Sequence, residues 1–184
     1  MEKKTTTTKS ASKSSIQFGF IFGLIMILEF VIGYVLNIDP QSNKVYGLII
    51  NLLNFLVLPL TFIYLACDNY KTKINSGFIS FNECLKIGVS VCVIAGLIYG
   101  LFSATFAYIF PEYFEEMFRK MRTIMAQENS KLTSEQIDMT ISFSKKFMNP
   151  AISIPTTVVM YAFFGLIYSL IIGAIVKKDA NQSF

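Results

Sequence analysis

Four long apolar runs are the feature that most limits what this chain can fold into. Each has about twenty residues or more, the length that an α-helix needs to cross about 30 Å of hydrocarbon. Lipid offers no hydrogen bonds to exposed backbone, so runs of this kind predict transmembrane helices. The runs are residues 16–36, 46–67, 85–110 and 151–176. The sequence therefore predicts an all-α membrane protein, an antiparallel bundle of four spanning helices.

The composition agrees with a membrane protein and excludes several kinds of chemistry. Hydrophobic residues make up 53 % of the 184 residues, and histidine and tryptophan are both absent. Without histidine the chain lacks the commonest general base and the commonest ligand of zinc, so we predict neither an enzyme nor a cofactor. Three cysteines, Cys67, Cys84 and Cys92, form no C-x-x-C motif and no disulfide framework. No dense Lys/Arg cluster with interleaved aromatic residues occurs, so we expect no binding of nucleic acid.

The first run follows a basic segment rich in serine and threonine, residues 1–15, which predicts a disordered tail. This segment resembles the start of a secretory signal. However, the run that follows has 21 residues, whereas a signal has about 7–15, and no A-x-A cleavage site follows it. We therefore predict an uncleaved first span. Residues 177–184 form a second short tail.

The distribution of lysine and arginine predicts the orientation. With four spans, the two tails and the connection between spans 2 and 3 share one side, with nine basic and four acidic residues. The opposite side has seven of each. Because basic residues are retained on the cytoplasmic side, both termini are predicted to be cytoplasmic. Residues 111–150 would then be extracytoplasmic, in the periplasm of a Gram-negative cell, with the spans in the bacterial inner membrane.

A stripe of small residues in span 3 predicts how the helices pack. A small residue recurs at every fourth position, which lets a neighbouring helix approach closely. The stripe comprises Gly88, Cys92, Gly96, Gly100 and Ala104. Span 4 has a matching run (Ala162, Gly165, Ser169 and Gly173), and span 1 has Gly19 and Gly23. We therefore expect span 3 at the centre of a compact bundle, with Ile98 facing outward.

Glu29 is the one acidic residue within the four runs. By its distance from the ends of the runs, it should lie in one polar layer with Asn54, Ser103 and Tyr161. A carboxyl group at that depth is costly unless it is protonated or hydrogen-bonded. It could be a proton or cation site, or a neutral carboxyl that joins two helices by bonding Asn54. Because no basic partner and no second acid accompany it, the structural interpretation is favoured.

Residues 111–150 predict an amphipathic helical hairpin between spans 3 and 4. Apolar side chains at helical spacing line one face of its first helix (Phe114, Met117, Phe118, Met121 and Met125). Those of the second are Ile137, Met139, Ile141, Phe143 and Phe147. We expect the two apolar faces to pack on each other over the mouth of the bundle, which would bury both. The alternative is that the hairpin lies on the bilayer surface.

Three methionines of this hairpin, Met117, Met121 and Met125, recur at every fourth position. A row of thioethers could bind Cu(I) in an oxidising compartment. A copper site usually adds histidine or cysteine, and neither occurs in the hairpin. The favoured interpretation is that methionine fills an apolar stripe, and no metal is expected.

Short-range signals predict several local features. Ser80–Glu83 and Thr133–Gln136 have the capping-box pattern of a helix start. In the first hairpin helix, Glu115 with Arg119 and Glu116 with Lys120 have the favourable spacing of ion pairs within one helix. Pro59 and Pro155 are expected to disturb spans 2 and 4.

The stretch NYKTKINSGFISFNECLKIGV at 69–89 resembles a known family. It has a Tyr-Lys pair, the segment Gly-Phe-Ile-Ser-Phe, and Leu-Lys-Ile-Gly at the start of a long span. These residues, with Pro-Glu-Tyr-Phe at 111–114 and Leu-Thr-Ser-Glu-Gln-Ile at 132–137, resemble the four-span bacterial family catalogued as domain of unknown function 4199. The resemblance covers about residues 16–176. It implies an inner-membrane protein typical of Bacteroidota, without a known activity, cofactor or catalytic residue.

Two functions from different classes are compatible with this sequence. The first is a non-catalytic envelope subunit or accessory protein, which the lack of any catalytic constellation favours. Its partners would be the lipid bilayer and an envelope protein that meets the 111–150 hairpin. The alternative is a small transporter or proton-coupled permease that uses Glu29, for which spans broken at paired positions are expected. The sequence does not specify an oligomeric state.

Overall fold

The computed structural model describes residues 3–38, 40, 43–128 and 132–178, and these are almost entirely helical. The α-helices are α1 (Lys3–Val35), α2 (Lys44–Leu52), α3 (Leu58–Asn69), α4 (Phe81–Ile109), α5 (Pro111–Glu128), α6 (Ser134–Lys146) and α7 (Pro150–Val176). A π-helical turn, Leu53–Val57, joins α2 to α3, and a second one, Tyr70–Ile74, follows α3. Four helical segments are long and apolar enough to cross a membrane: Ala11–Val35, Lys44–Ile74, Phe81–Ile109 and Pro150–Val176. The prediction of four membrane-spanning helices is confirmed at this level.

The first span begins earlier than the sequence predicts. Residues 1–15 are predicted to be a disordered tail, but α1 extends back to Lys3. Ser14 and Ser15 are buried, and their hydroxyls donate to the carbonyl oxygens of Ala66 (3.1 Å) and Ile87 (3.4 Å). The start of the first span is therefore held by two other spans. Residues 1, 2 and 179–184 of the predicted tails lie outside the described residues.

Helix α4 makes the most extensive contacts in the bundle, first with α7, then with α1, and also with α3. All five residues of the predicted small-residue stripe are buried. A β-carbon added to Gly88 would collide with Ser169, one added to Gly96 would lie 3.0 Å from Tyr161 Cβ, and Gly165 leaves similar room for Cys92. The two backbones can approach closely because these positions lack bulk.

Ile98 does not face outward, so that prediction is wrong. Its side chain packs on Gly23 of α1, where an added β-carbon would lie 3.0 Å from Ile98 Cβ. Gly19 meets Ile94 in the same way. Helix α4 is central and therefore has two packed sides, the small-residue stripe against α7 and a larger-residue side against the glycines of α1. The exposed side chains of α4 include Leu97 and Leu101.

Pro59 explains the π-helical turn between α2 and α3. A proline has no amide proton and its ring crowds the carbonyl four residues earlier, here that of Phe55. The helix widens to a π-turn over Leu53–Val57, just before this proline. The hydroxyl of Tyr168 in α7 donates to the Phe55 carbonyl oxygen. A backbone group freed by proline is thus bonded by a neighbouring helix, as the membrane interior requires.

One end of the bundle, which we name the terminal end, gathers residues 70–80 and 176–178. Ile79 and Lys178 exchange two backbone hydrogen bonds of 3.1 and 2.8 Å, and Lys71 Nζ donates to the Val176 carbonyl at 3.0 Å. The predicted capping box at Ser80 is present, and Tyr70 OH donates to the carboxylate of its Glu83 at 2.8 Å. The connection between spans 2 and 3 is therefore tied to the end of span 4.

The opposite end, which we name the hairpin end, carries α5 and α6. Phe118 of α5 and Ile137 of α6 are buried between them, and the predicted capping box at Thr133 is present. Glu116 pairs with Lys120 at 3.3 Å, as predicted. Glu115 pairs with Lys145 of α6 at 2.9 Å, whereas the sequence paired it with Arg119. The partner of Glu115 lies on the other helix, and residue spacing along one helix could not reveal it.

The expectation that the hairpin buries both apolar faces is wrong for α6. Met139, Phe143 and Phe147 are 68 %, 59 % and 42 % exposed, and they follow one another at every fourth position. Because α5 is covered partly by α4 and α1, it presents only one edge to α6. We call Met139, Phe143 and Phe147 the α6 stripe.

Candidate functional site

A cavity of about 380 Å³ opens at the hairpin end, beneath α5. Its walls come from α1, the α2 helix with its π-turn, α4, α5 and α7, and it includes part of the predicted polar layer. It is thus formed where all four spans meet the first hairpin helix. A cavity between helices of a bundle is a usual place for a ligand.

Glu29 of α1 and Asn54 of the π-turn are joined across the cavity wall. Asn54 Nδ2 donates to Glu29 Oε2 at 2.7 Å and to the Ile50 carbonyl at 3.0 Å. The other amide atom of Asn54, Oδ1, is buried and has no hydrogen-bond partner. A buried acceptor without a donor is costly, so this atom marks a place where a donor group is missing.

Eight of the other residues that line the cavity are aromatic. Five are tyrosines: Tyr34, Tyr46, Tyr99, Tyr113 and Tyr161. Three are phenylalanines: Phe30, Phe55 and Phe114. Tyr113 of α5 lies edge-on against Tyr34 (5.4 Å between ring centroids) and Phe30 (5.9 Å). These ring contacts hold α5 over the cavity.

A second cavity of about 260 Å³ adjoins the first, and both are lined by Gly33, Tyr34, Ile38, Tyr113 and Met117. Its charged lining residues are Glu112, Glu116 and Lys120. Lys120 forms an ion pair with Glu116 at 3.3 Å. We call this space the vestibule, since it lies between the first cavity and the polar side of α5.

The structure brings together three of the four residues predicted for the polar layer. Glu29, Asn54 and Tyr161 line the cavity, but Ser103 is not part of its wall. Tyr99, one helical turn before Ser103, occupies that place. The depth taken from the end of the apolar run was therefore one helical turn away from the residue of α4 that lines the cavity.

Sequence reasoning missed the other tyrosines of the wall. Tyrosine near the end of a span is usual at the membrane interface, so Tyr34, Tyr46 and Tyr113 gave no distinct signal. The high count of tyrosines in the chain could have given such a signal. Nine tyrosines occur in the chain, and five of them line this cavity.

The methionine row of α5 is divided between environments. Met117 lines both cavities, while Met121 and Met125 are half-buried along the helix. Among the described residues, no group of three or more Cys, Asp or Glu side chains could hold a metal ion. Cu(I) binding by these methionines stays the disfavoured alternative, and the prediction of no metal there stays untested.

Two cysteines that the sequence treated as unrelated meet in the structure. The sulfur atoms of Cys67 and Cys84 lie 2.6 Å apart, buried between α3 and α4 near the terminal end. They are separated by 17 positions along the chain. Cys92 lies elsewhere, against Gly165. The pair is close enough to react on oxidation, although it belongs to no sequence motif.

The cavity wall offers one carboxylate and several phenol rings. These groups can balance a positive charge and accept hydrogen bonds, and the rings can cover an apolar or cationic group. Such a set fits recognition of a ligand.

A family model described as a protein of unknown function, DUF4199, matches residues 17–178 of this chain. The matched stretch includes every residue named above as part of the cavity wall. Neither a curated protein nor a solved structure matches the chain.

Proposed function

Because this chain belongs to the DUF4199 family, whose function is unknown, we propose its function from the geometry of its cavity. We propose a non-catalytic accessory protein of the bacterial inner membrane that binds a small ligand at its hairpin end. The observation that carries this proposal is the cavity that Glu29, Asn54 and a set of aromatic side chains line together. Its volume of about 380 Å³ lies within the range of small-molecule sites, about 300–1,000 Å³.

The proposal includes an antiparallel four-helix bundle with cytoplasmic termini and an extracytoplasmic hairpin. Contact pairs between α4 and α7 support opposite directions, since Gly88 meets Ser169, Gly96 meets Tyr161 and Gly100 meets Ile154. The excess of basic residues at the terminal end supports its cytoplasmic location. In this orientation the cavity is reached from outside the cytoplasm.

The test is to identify what the protein retains from its native membrane. Wild-type protein is extracted in a mild detergent and examined by native mass spectrometry for a bound small molecule. Ile50 lines the cavity, so Ile50→Phe should narrow it and reduce retention of the bound mass. Ile49→Phe adds the same bulk at a neighbouring side chain that is 49 % exposed, and it should retain the ligand.

A bound mass that both variants retain equally would show that the ligand lies elsewhere. No bound mass in the wild-type protein, together with no binding of any compound class by titration, would overturn the proposed function. Proteins that co-purify with the chain would identify its envelope partner in the same experiment.

The second candidate function is a small permease that uses Glu29. The π-turn at Leu53–Val57 and Pro155 inside α7 favour it, because transporters place sites at broken helices. A permease must open its site to both sides of the membrane. Ile50→Cys in a chain without the three native cysteines should then react with an impermeant thiol reagent from either side. The binding function predicts reaction from the hairpin side alone.

A further inference from the structure

We propose that the cavity binds an organic ammonium ion, either as a free small amine or as the headgroup of a lipid. This inference deepens the proposed function and rests on it. It is carried by the joint presence of one carboxylate and several aromatic side chains in the wall of the same cavity.

The charge of the wall favours a cation. Glu29 is the one charged side chain among the described residues that line the cavity. A carboxylate at this depth lacks a basic partner, and an ammonium ion would supply it. An anionic ligand would meet this carboxylate without a compensating charge, so the wall selects against it.

The aromatic wall supplies the second element of an ammonium site. Cations are attracted to the faces of aromatic rings, and cages of such rings are the usual recognition device for alkylated ammonium groups. Tyr34, Tyr46, Tyr99, Tyr113 and Tyr161 come from α1, α2, α4, α5 and α7, so rings approach the cavity from every element of its wall.

The vestibule leads a cation toward the cavity. It holds two carboxylates, Glu112 and Glu116, against one lysine, Lys120, which is ion-paired with Glu116. A cleft with an excess of negative charge concentrates cations near its mouth. Glu112 thus precedes Glu29 on the path of an entering amine.

The direct test is titration of the purified full chain with choline and with its neutral isostere, 3,3-dimethylbutan-1-ol, in a non-ionic detergent. Calorimetry should show choline binding at least about tenfold tighter than the isostere, because only the ammonium ion gains from Glu29 and the rings. Equal binding of the two compounds would overturn the inference, since shape alone would then explain it.

Variants separate the contribution of the Glu29 charge to choline binding from the contribution of the aromatic rings. Glu29→Gln should weaken choline binding about tenfold or more while the protein stays folded. Glu135→Gln removes the same charge on α6, at an exposed position outside the cavity wall, and should leave binding unchanged. Tyr113→Phe should retain binding and Tyr113→Leu should lose it, since only the first keeps a ring. Choline binding unaffected by Glu29→Gln would contradict the inference.

A second arm distinguishes the two sources of the ammonium group. The protein is reconstituted in nanodiscs that contain phosphatidylethanolamine and phosphatidylglycerol, and retained lipid is identified by native mass spectrometry. Selective retention of phosphatidylethanolamine that choline fails to displace assigns the site to a lipid headgroup. If choline displaces the retained phosphatidylethanolamine, the site accepts ammonium groups of either origin.

Selective retention of phosphatidylglycerol would overturn the ammonium inference. The experiments can distinguish failure of this inference from failure of the proposed function. A neutral or anionic ligand retained by the wild type and lost in Ile50→Phe would leave the proposed function in place.

Discussion

At the scale of single residues, the hydrogen bond between Glu29 and Asn54 has two consequences. It joins α1 to the π-turn between α2 and α3, and it fixes two side chains that line the cavity. A polar contact within lipid is usually explained by helix association alone. Here the same side chains also line the cavity, so stability and ligand binding can be measured separately at one position.

Glu29→Gln should change the free energy of unfolding little, because glutamine can still accept the hydrogen bond from Asn54. Glu29→Leu should cost about 0.5–2 kcal/mol, since it leaves Asn54 unpaired in the bundle. Equilibrium unfolding in mixed detergent micelles measures both. Equal losses in the two variants would show that the charge of Glu29, and not its hydrogen bond, stabilises the bundle.

The close pair Cys67 and Cys84 should form a disulfide when a thiol oxidant such as diamide is added. The count of thiols that react with a maleimide polymer after denaturation should fall from three to one. In Cys92→Ala it should fall from two to none, and in Cys84→Ala it should stay at two. A count of three after oxidation of the wild type would contradict the observed contact between α3 and α4.

At the scale of helices, α4 organises the bundle through two different sides. Its small residues admit α7, and its larger Ile94 and Ile98 fill the space beside the glycines of α1. Each contact therefore pairs a small residue on one helix with a larger one on the other. Such pairing brings helix backbones close where lipid supplies no hydrophobic drive.

Gly96→Leu should destabilise the protein by about 1–3 kcal/mol, because the new side chain would force α4 and Tyr161 apart. Gly100→Ala should be nearly neutral, since an added β-carbon there meets its nearest neighbour at 3.6 Å. Leu97→Phe serves as the control, at a side chain that is 43 % exposed. Thermal unfolding in detergent ranks the three. An unchanged transition in Gly96→Leu would refute close packing of α4 on α7.

The α6 stripe should insert into the lipid of the membrane surface. It ends at Phe147, three residues before α7 begins, and the first half of α7 also has exposed apolar side chains, among them Ile152 and Val159. Because the chain has no tryptophan, Phe143→Trp provides a single fluorophore. Brominated lipid should quench it more strongly than Ser142→Trp, which lies on another side of α6. Equal quenching would leave the stripe available to a protein partner instead.

At the scale of the whole molecule, the two ends of the bundle differ in chemistry. The terminal end is held by backbone and lysine contacts among residues 70–80 and 176–178. The hairpin end holds the cavity, the vestibule and the α6 stripe. The side of the membrane from which a ligand reaches the proposed site therefore depends on which end faces the cytoplasm.

A cysteine placed at Ser134 should react with a membrane-impermeant thiol reagent added to intact spheroplasts, and one placed at Ser10 should not. The asymmetry of basic residues favours cytoplasmic termini, and Ser134 lies in the hairpin. Both variants are made in a chain without native cysteines. Labelling with the opposite sidedness would reject the proposed orientation together with access to the cavity from outside.

Features that depend on neighbouring residues were predictable from the sequence. The four apolar spans follow from hydrophobic length, and the caps at Ser80 and Thr133 follow from residues three positions apart. The small-residue stripe of α4 could be identified because every fourth residue of a helix lies on one side. In each case the physical cause acts over a few residues or over one helix.

Features that depend on how the helices rotate and meet were decided by the tertiary structure. Ile98 packs inward because α1 offers Gly23 at that level, and Cys67 meets Cys84 because α3 and α4 lie side by side. The tyrosine wall comes from five separate helices, so no segment of the sequence contains its pattern. Hydrophobic length fixes that a helix spans lipid, but it leaves rotation about the helix axis free. That rotation is fixed only by side-chain packing between helices.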